Sequence, residues 1–72
     1  MNKYQNYLKD NMTLFKEKIE ELKLSENEDE FIKGQLLAYY DILTIFKVQA
    51  KVFDIELNEI GLDTFDENSI FR

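Results

Sequence analysis

Ile32, Leu36, Tyr39, Leu43, Phe46, Ala50, Phe53, Leu57 and Ile60 are apolar positions separated by alternating steps of four and three. An α-helix brings positions so spaced onto one stripe, and the alternation defines a heptad seam. A second row, Ala38, Ile42, Ile45 and Val52, runs beside the seam and widens it. A two-stranded coiled coil needs only the narrow seam. The broader stripe predicts a helix with more than one neighbour, as in a bundle.

The flanking residues set its expected limits. Ser25 stands three residues before Glu28, the spacing of a capping box, and the acids of ENEDE would fall in the first turn, where exposed amides favour negative charge. Consecutive helical side chains diverge, so Glu28, Asp29 and Glu30 are not expected to hold a metal. Gly61 suits the left-handed position after a last turn, with Leu62 placed to meet Leu57. The second helix is therefore expected over about residues 26–60, with a break near Asp54 left open because Asp54 can cap a short third helix.

Upstream, Tyr4, Leu8, Met12, Phe15, Ile19 and Leu22 recur at helical spacing and predict a first helix over about residues 3–24. Asp10 and Asn11, whose short polar side chains compete for backbone groups, leave a later start near Met12 open. Downstream, the tail of residues 62–72 has Thr64 and Glu67 at capping-box spacing, with Phe65, Ile70 and Phe71 available to dock. A short helical turn on the bundle, an arm laid on another subunit and a frayed end are all compatible with it. The fold class is all-α: a single domain built on an antiparallel helical hairpin with a long second helix.

That hairpin has an overhang. At about 1.5 Å per residue the second helix would span roughly 50 Å and the first roughly 33 Å. The far end of helix two, with Phe46, Val52, Phe53, Leu57 and Ile60, would then lack an intrachain partner. A 72-residue chain buries only about 60% of the surface its unfolded form exposes, so leaving these side chains wet is costly. With no cysteine or histidine, the chain has no disulfide, thiolate or imidazole to compensate. The expected cover is a second copy in a homodimeric bundle, with Tyr39, Tyr40, Leu43, Phe46, Ala50, Phe53, Leu57 and Ile60 at the interface. Folding back of the chain after a break at Asp54 is the alternative. Gln35 and Gln49 beside the seam would help set register, and Lys47 and Lys51 would meet the acidic tail of the other subunit.

Little here supports catalysis. Ser25, Ser69, Thr13, Thr44 and Thr64 have no histidine base. Asp41 and Asp54 lie nearest the apolar rows without an opposed partner group, and Glu56 and Glu59 lack the histidines of a di-metal bundle site. No enzyme activity, cofactor or metal is expected. The formal net charge is −6, with six acids and no base over residues 54–71, which disfavours direct binding of nucleic acid. A small basic patch at Lys9, Lys16 and Lys18 stands against that balance. The start of the chain lacks a signal-like apolar run and no stretch suits a membrane, so the expected location is the cytoplasm.

The run FIKGQLLAYYDILTIFKVQAKVFDIELNEIGL, residues 31–62, resembles small uncharacterised helical proteins of phages, plasmids and integrated elements in low-GC Gram-positive bacteria. The resemblance implies a regulator or inhibitor of a larger host machine and a loop-like residue near Asp54. It carries over no functional residue. The expected function is a small acidic protein–protein interaction or regulatory module with an unidentified protein partner. The alternatives are a nucleic-acid-mimicking inhibitor of a DNA-handling protein and a small DNA-binding regulator using Lys47 and Lys51.

Overall fold

The computed structural model describes residues 2–25 and 29–71. Two helices, α1 (Lys3–Lys23) and α2 (Glu30–Val52), form a hairpin, followed by two 3₁₀ turns, Leu57–Ile60 and Glu67–Phe71. No strand occurs among the described residues.

Helix α1 starts where its cap places it. The Asn2 side chain accepts the Gln5 N–H at 2.8 Å. The polar pair at residues 10 and 11 does not delay the start. Asn11 Nδ2 donates to the Tyr7 carbonyl at 2.8 Å and Thr13 Oγ1 to the Lys9 carbonyl at 3.2 Å, so these side chains bond the preceding turn of the helix they sit in. Met12, Ile19 and Leu22 are buried, with Leu8 and Phe15 packed at the core's edge. Tyr4, the first residue of the expected stripe, is exposed.

Helix α2 begins later than the Ser25 spacing suggests. Its N-cap is Asp29, whose side chain accepts the Ile32 N–H at 2.9 Å. Glu28, the other half of the expected box, lies outside the described residues.

The far end departs most from expectation. Helix α2 ends at Val52, so the continuous helix to Ile60 does not form. Asp54 adopts φ +58°, a left-handed conformation. The Asp54 N–H bonds the Lys51 carbonyl at 3.2 Å, and the Ile55 N–H reaches back to the Ala50 carbonyl at 2.7 Å. These two bonds are a Schellman ending, with aspartate in the position glycine usually takes. Aspartate tolerates this region better than most residues but still carries strain that glycine lacks. Asp54→Gly is therefore expected to stabilise the fold by roughly 0.5–1 kcal/mol, read as a higher urea midpoint at unchanged slope.

After the break the chain reverses and lies in the groove of the hairpin. Gln5 Nε2 donates to the Glu59 carbonyl at 3.2 Å, Lys16 Nζ to the Gly61 carbonyl and Lys23 Nζ to the Ser69 carbonyl at 2.8 Å. The tail thus runs parallel to α1, from its start towards its end. Gly61 takes φ +76° as expected, but it closes the first 3₁₀ turn and not the long helix. The second turn is opened by Asp66, whose carboxylate accepts the Asn68 N–H at 3.0 Å. Thr64 does not serve as its cap: the turn begins only at Glu67, whose carboxylate accepts from Lys47.

The core joins all these pieces. Met12 and Ile19 of α1, Leu43 and Ala50 of α2, and Ile60, Leu62 and Ile70 of the tail form one buried cluster. The molecule measures 39 × 20 × 17 Å, which accommodates α2 at about 35 Å but not a 50 Å helix. The overhang predicted from the heptad is removed by the break.

Among the described residues, one buried side-chain oxygen is unsatisfied. Thr44 Oγ1 is buried without a hydrogen-bond partner. Thr44→Val keeps the side-chain shape and removes the stranded hydroxyl, so it is expected to raise stability by about 1 kcal/mol in urea melts.

Candidate functional site

The hairpin and its tail use one side of α2 and leave the other uncovered. Leu43 and Ala50 are buried; Tyr39, Tyr40 and Phe46 pack at the core's edge. Phe15 of α1 stacks at a tilt on both Tyr39 and Phe46, with ring centroids 5.9 and 6.4 Å apart. Tyr40 meets Phe71 of the tail at 5.4 Å. Of the eight residues expected to contact another chain, Leu57 is also partly buried and Ile60 fully so, by the chain's own residues. Phe53 alone is exposed, at 69%. The physical reason is the Asp54 reversal, which places residues 57 to 70 where a partner helix was expected.

The outer side of α2 is a different matter. Residues three, four and seven positions from Ile45 share its face: Ala38, Asp41, Ile42, Val48, Gln49 and Val52. All are exposed; Ile45 is 60% and Val52 67% accessible. Leu37 lies at one margin and Phe53 at the other, both exposed. Gly34 continues the stripe towards the helix start, and a Cβ added there would meet nothing within 4 Å. The second row seen in the sequence is thus real as a face, but it faces solvent. Leu37 and Val48, which stand on neither row, complete it; their spacing from Ile45 is the signal that identifies them.

Asp41 is the only charged residue on this face, and neither its carboxylate nor the Gln49 amide has a hydrogen bond or ion pair within the chain among the described residues. The lysines considered for a basic patch differ in what holds them. Lys16 bonds the Gly61 carbonyl, Lys18 lies 3.5 Å from Glu21, and the Lys9 stem runs beside Gly61. Lys47 meets the acidic tail of its own chain, bonding Glu67 Oε2 and the Phe65 carbonyl, both at 2.6 Å.

Among the described residues no group of three Asp or Glu side chains is placed to hold a metal ion. Glu59 bonds the Glu56 backbone N–H at 2.8 Å, so this carboxylate closes a turn. Among the described residues no helix is long and apolar enough to cross a membrane. The described residues form a small helical hairpin with no carboxylate cluster that could hold a metal, and the outer face of α2 is an exposed apolar surface. Comparison with protein families, curated proteins and solved structures gives no match.

Proposed function

We propose that the protein is a small acidic protein–protein interaction module, without catalytic activity, whose recognition surface is the outer face of α2. The observation that carries this reading is the exposed apolar run from Leu37 through Ile45 to Phe53. Scattered surface apolar residues are ordinary, whereas a contiguous set several side chains long on one rigid helix marks a contact surface. A helix face is also a pre-organised one, so little ordering entropy opposes its docking.

The test compares tagged wild type with Ile45→Glu and with Leu14→Glu, which places the same charge on an exposed apolar position of α1. Each is used to capture proteins, including untagged copies of the chain itself, from cells that produce it. Binding retained by wild type and Leu14→Glu but lost with Ile45→Glu is the expected result. Identical retention by all three would remove α2 as the recognition surface.

A further inference from the structure

We infer that the occupant of the α2 face is a second copy of this chain, bound antiparallel about a two-fold axis through Ile45. This rests on the reading of α2 as the recognition surface and specifies its partner.

The area suits such a pair. A folded monomer of 8.7 kDa exposes about 4,700 Å² by the usual size scaling. This protein exposes 5443 Å². The excess over the whole molecule, about 700 Å², is of the order of the roughly 800 Å² that each partner contributes to an interface of standard size, and the exposed Leu37, Ile42, Ile45, Val48, Val52 and Phe53 put part of it on α2.

The pattern on the face is self-complementary in one orientation. Asp41 and Gln49 lie equally far from Ile45 on opposite sides. In an antiparallel pair crossing at Ile45, each Asp41 therefore faces a Gln49 amide, and this happens twice. The two groups lacking partners within the chain satisfy one another, acceptor to donor. The apolar residues follow the same symmetry. Ile42 meets Val48, and Ala38 meets Val52, a small side chain against a branched one that allows close approach. A parallel pair sets Asp41 against Asp41 in a partly desolvated seam, where like charges repel. The face so described is isologous, and a closed dimer follows from it.

Because the chain contains no cysteine, one introduced thiol reports the geometry directly. Ile45→Cys lies on the axis, so two copies approach within disulfide range and cross-link under mild oxidant. Ala38→Cys faces Val52 and does not cross-link with itself in the antiparallel pair, whereas a parallel pair would link it readily. Sedimentation equilibrium of the purified wild type is expected to show a dimer with a dissociation constant on the order of micromolar. Ile45→Glu, which places two carboxylates together at the axis, is expected to weaken it by about 100-fold or more, with far-UV helix content unchanged. A wild type that stays monomeric at about 100 μM overturns the second-copy inference. So does an Ala38→Cys chain that cross-links as fast as Ile45→Cys. Neither result touches the α2 reading itself, which fails only if capture is insensitive to Ile45→Glu.

Discussion

Leu62→Ala is expected to lower the stability of this protein by about 3 kcal/mol, within the range of 2–5 kcal/mol seen for fully buried leucines. Leu62 is completely inaccessible and belongs to the same cluster as Met12, Leu43 and Ile70. It lies outside both helices, between the two 3₁₀ turns. A chain of this size holds only about 4–11 kcal/mol in total, so the variant should lose much of its folding free energy. Urea unfolding followed by far-UV circular dichroism measures it. Thr64→Ala, two residues on and exposed, is expected to stay within about 0.5 kcal/mol of wild type. A tail that merely decorates the hairpin would give both variants the same small effect. A large, position-specific loss at Leu62 means that α1 and α2 do not close a core without the returning chain.

The same returning chain marks the limit of what the sequence shows. Seam positions Leu43 and Ala50 are buried where the heptad puts them, because a run of steps of four and three has only one helical solution. Leu57 and Ile60 keep that rhythm for a different reason. They face the core after a reversal, and periodicity cannot tell a straight helix from one that breaks and folds back with its apolar residues still inward. The break itself rests on one aspartate in a left-handed conformation, a position glycine would have announced. The lysine contacts to the tail are equally silent in the sequence. Lys16 and Lys23 bond carbonyls of residues more than forty positions away, and a lysine–carbonyl bond imposes no local spacing. One trace is visible: five lysines against four acids in the first 24 residues, and six acids with no base over residues 54–71. That asymmetry fits pairing between chains or within one. The structure resolves it differently: Lys16 and Lys23 bond tail carbonyls, and the ion pair to the tail comes from Lys47, outside those five, to Glu67. The outer face of α2 was legible as an apolar row, but whether a row faces core or solvent depends on where the tail goes.

Lys47 joins the tail to α2, and removing its charge is the second change expected to matter. Its Nζ donates to Glu67 Oε2 and to the Phe65 carbonyl, and lies 6.0 Å from the centre of the Phe65 ring. Both side chains of the Lys47–Glu67 pair are only 22% exposed. Lys47→Met preserves the aliphatic stem but leaves a carboxylate and a carbonyl without their donor. A broken buried pair costs about 3–5 kcal/mol; partial exposure here brings the expected loss to about 2 kcal/mol. The hydrogen bond from Lys47, followed by a backbone hydrogen bond, holds the Glu67 carboxyl below its ordinary value of 4.5, against a smaller opposing effect of burial. The folded protein then binds fewer protons at Glu67 than the unfolded chain does. This contribution is present in full above the unfolded value and is lost as pH falls through the lower folded one. Glu67→Gln isolates it, because the amide leaves Lys47 its bond to the Phe65 carbonyl. Urea melts are expected to show wild type more stable than Glu67→Gln by about 1 kcal/mol at neutral pH, with the gap narrowing as the solution is taken below about pH 4. In the Lys47→Met background the gap should close at neutral pH as well. A gap that is the same at neutral and acid pH would mean that the Glu67 charge does not hold the tail, and Lys47 would then act through the Phe65 carbonyl alone.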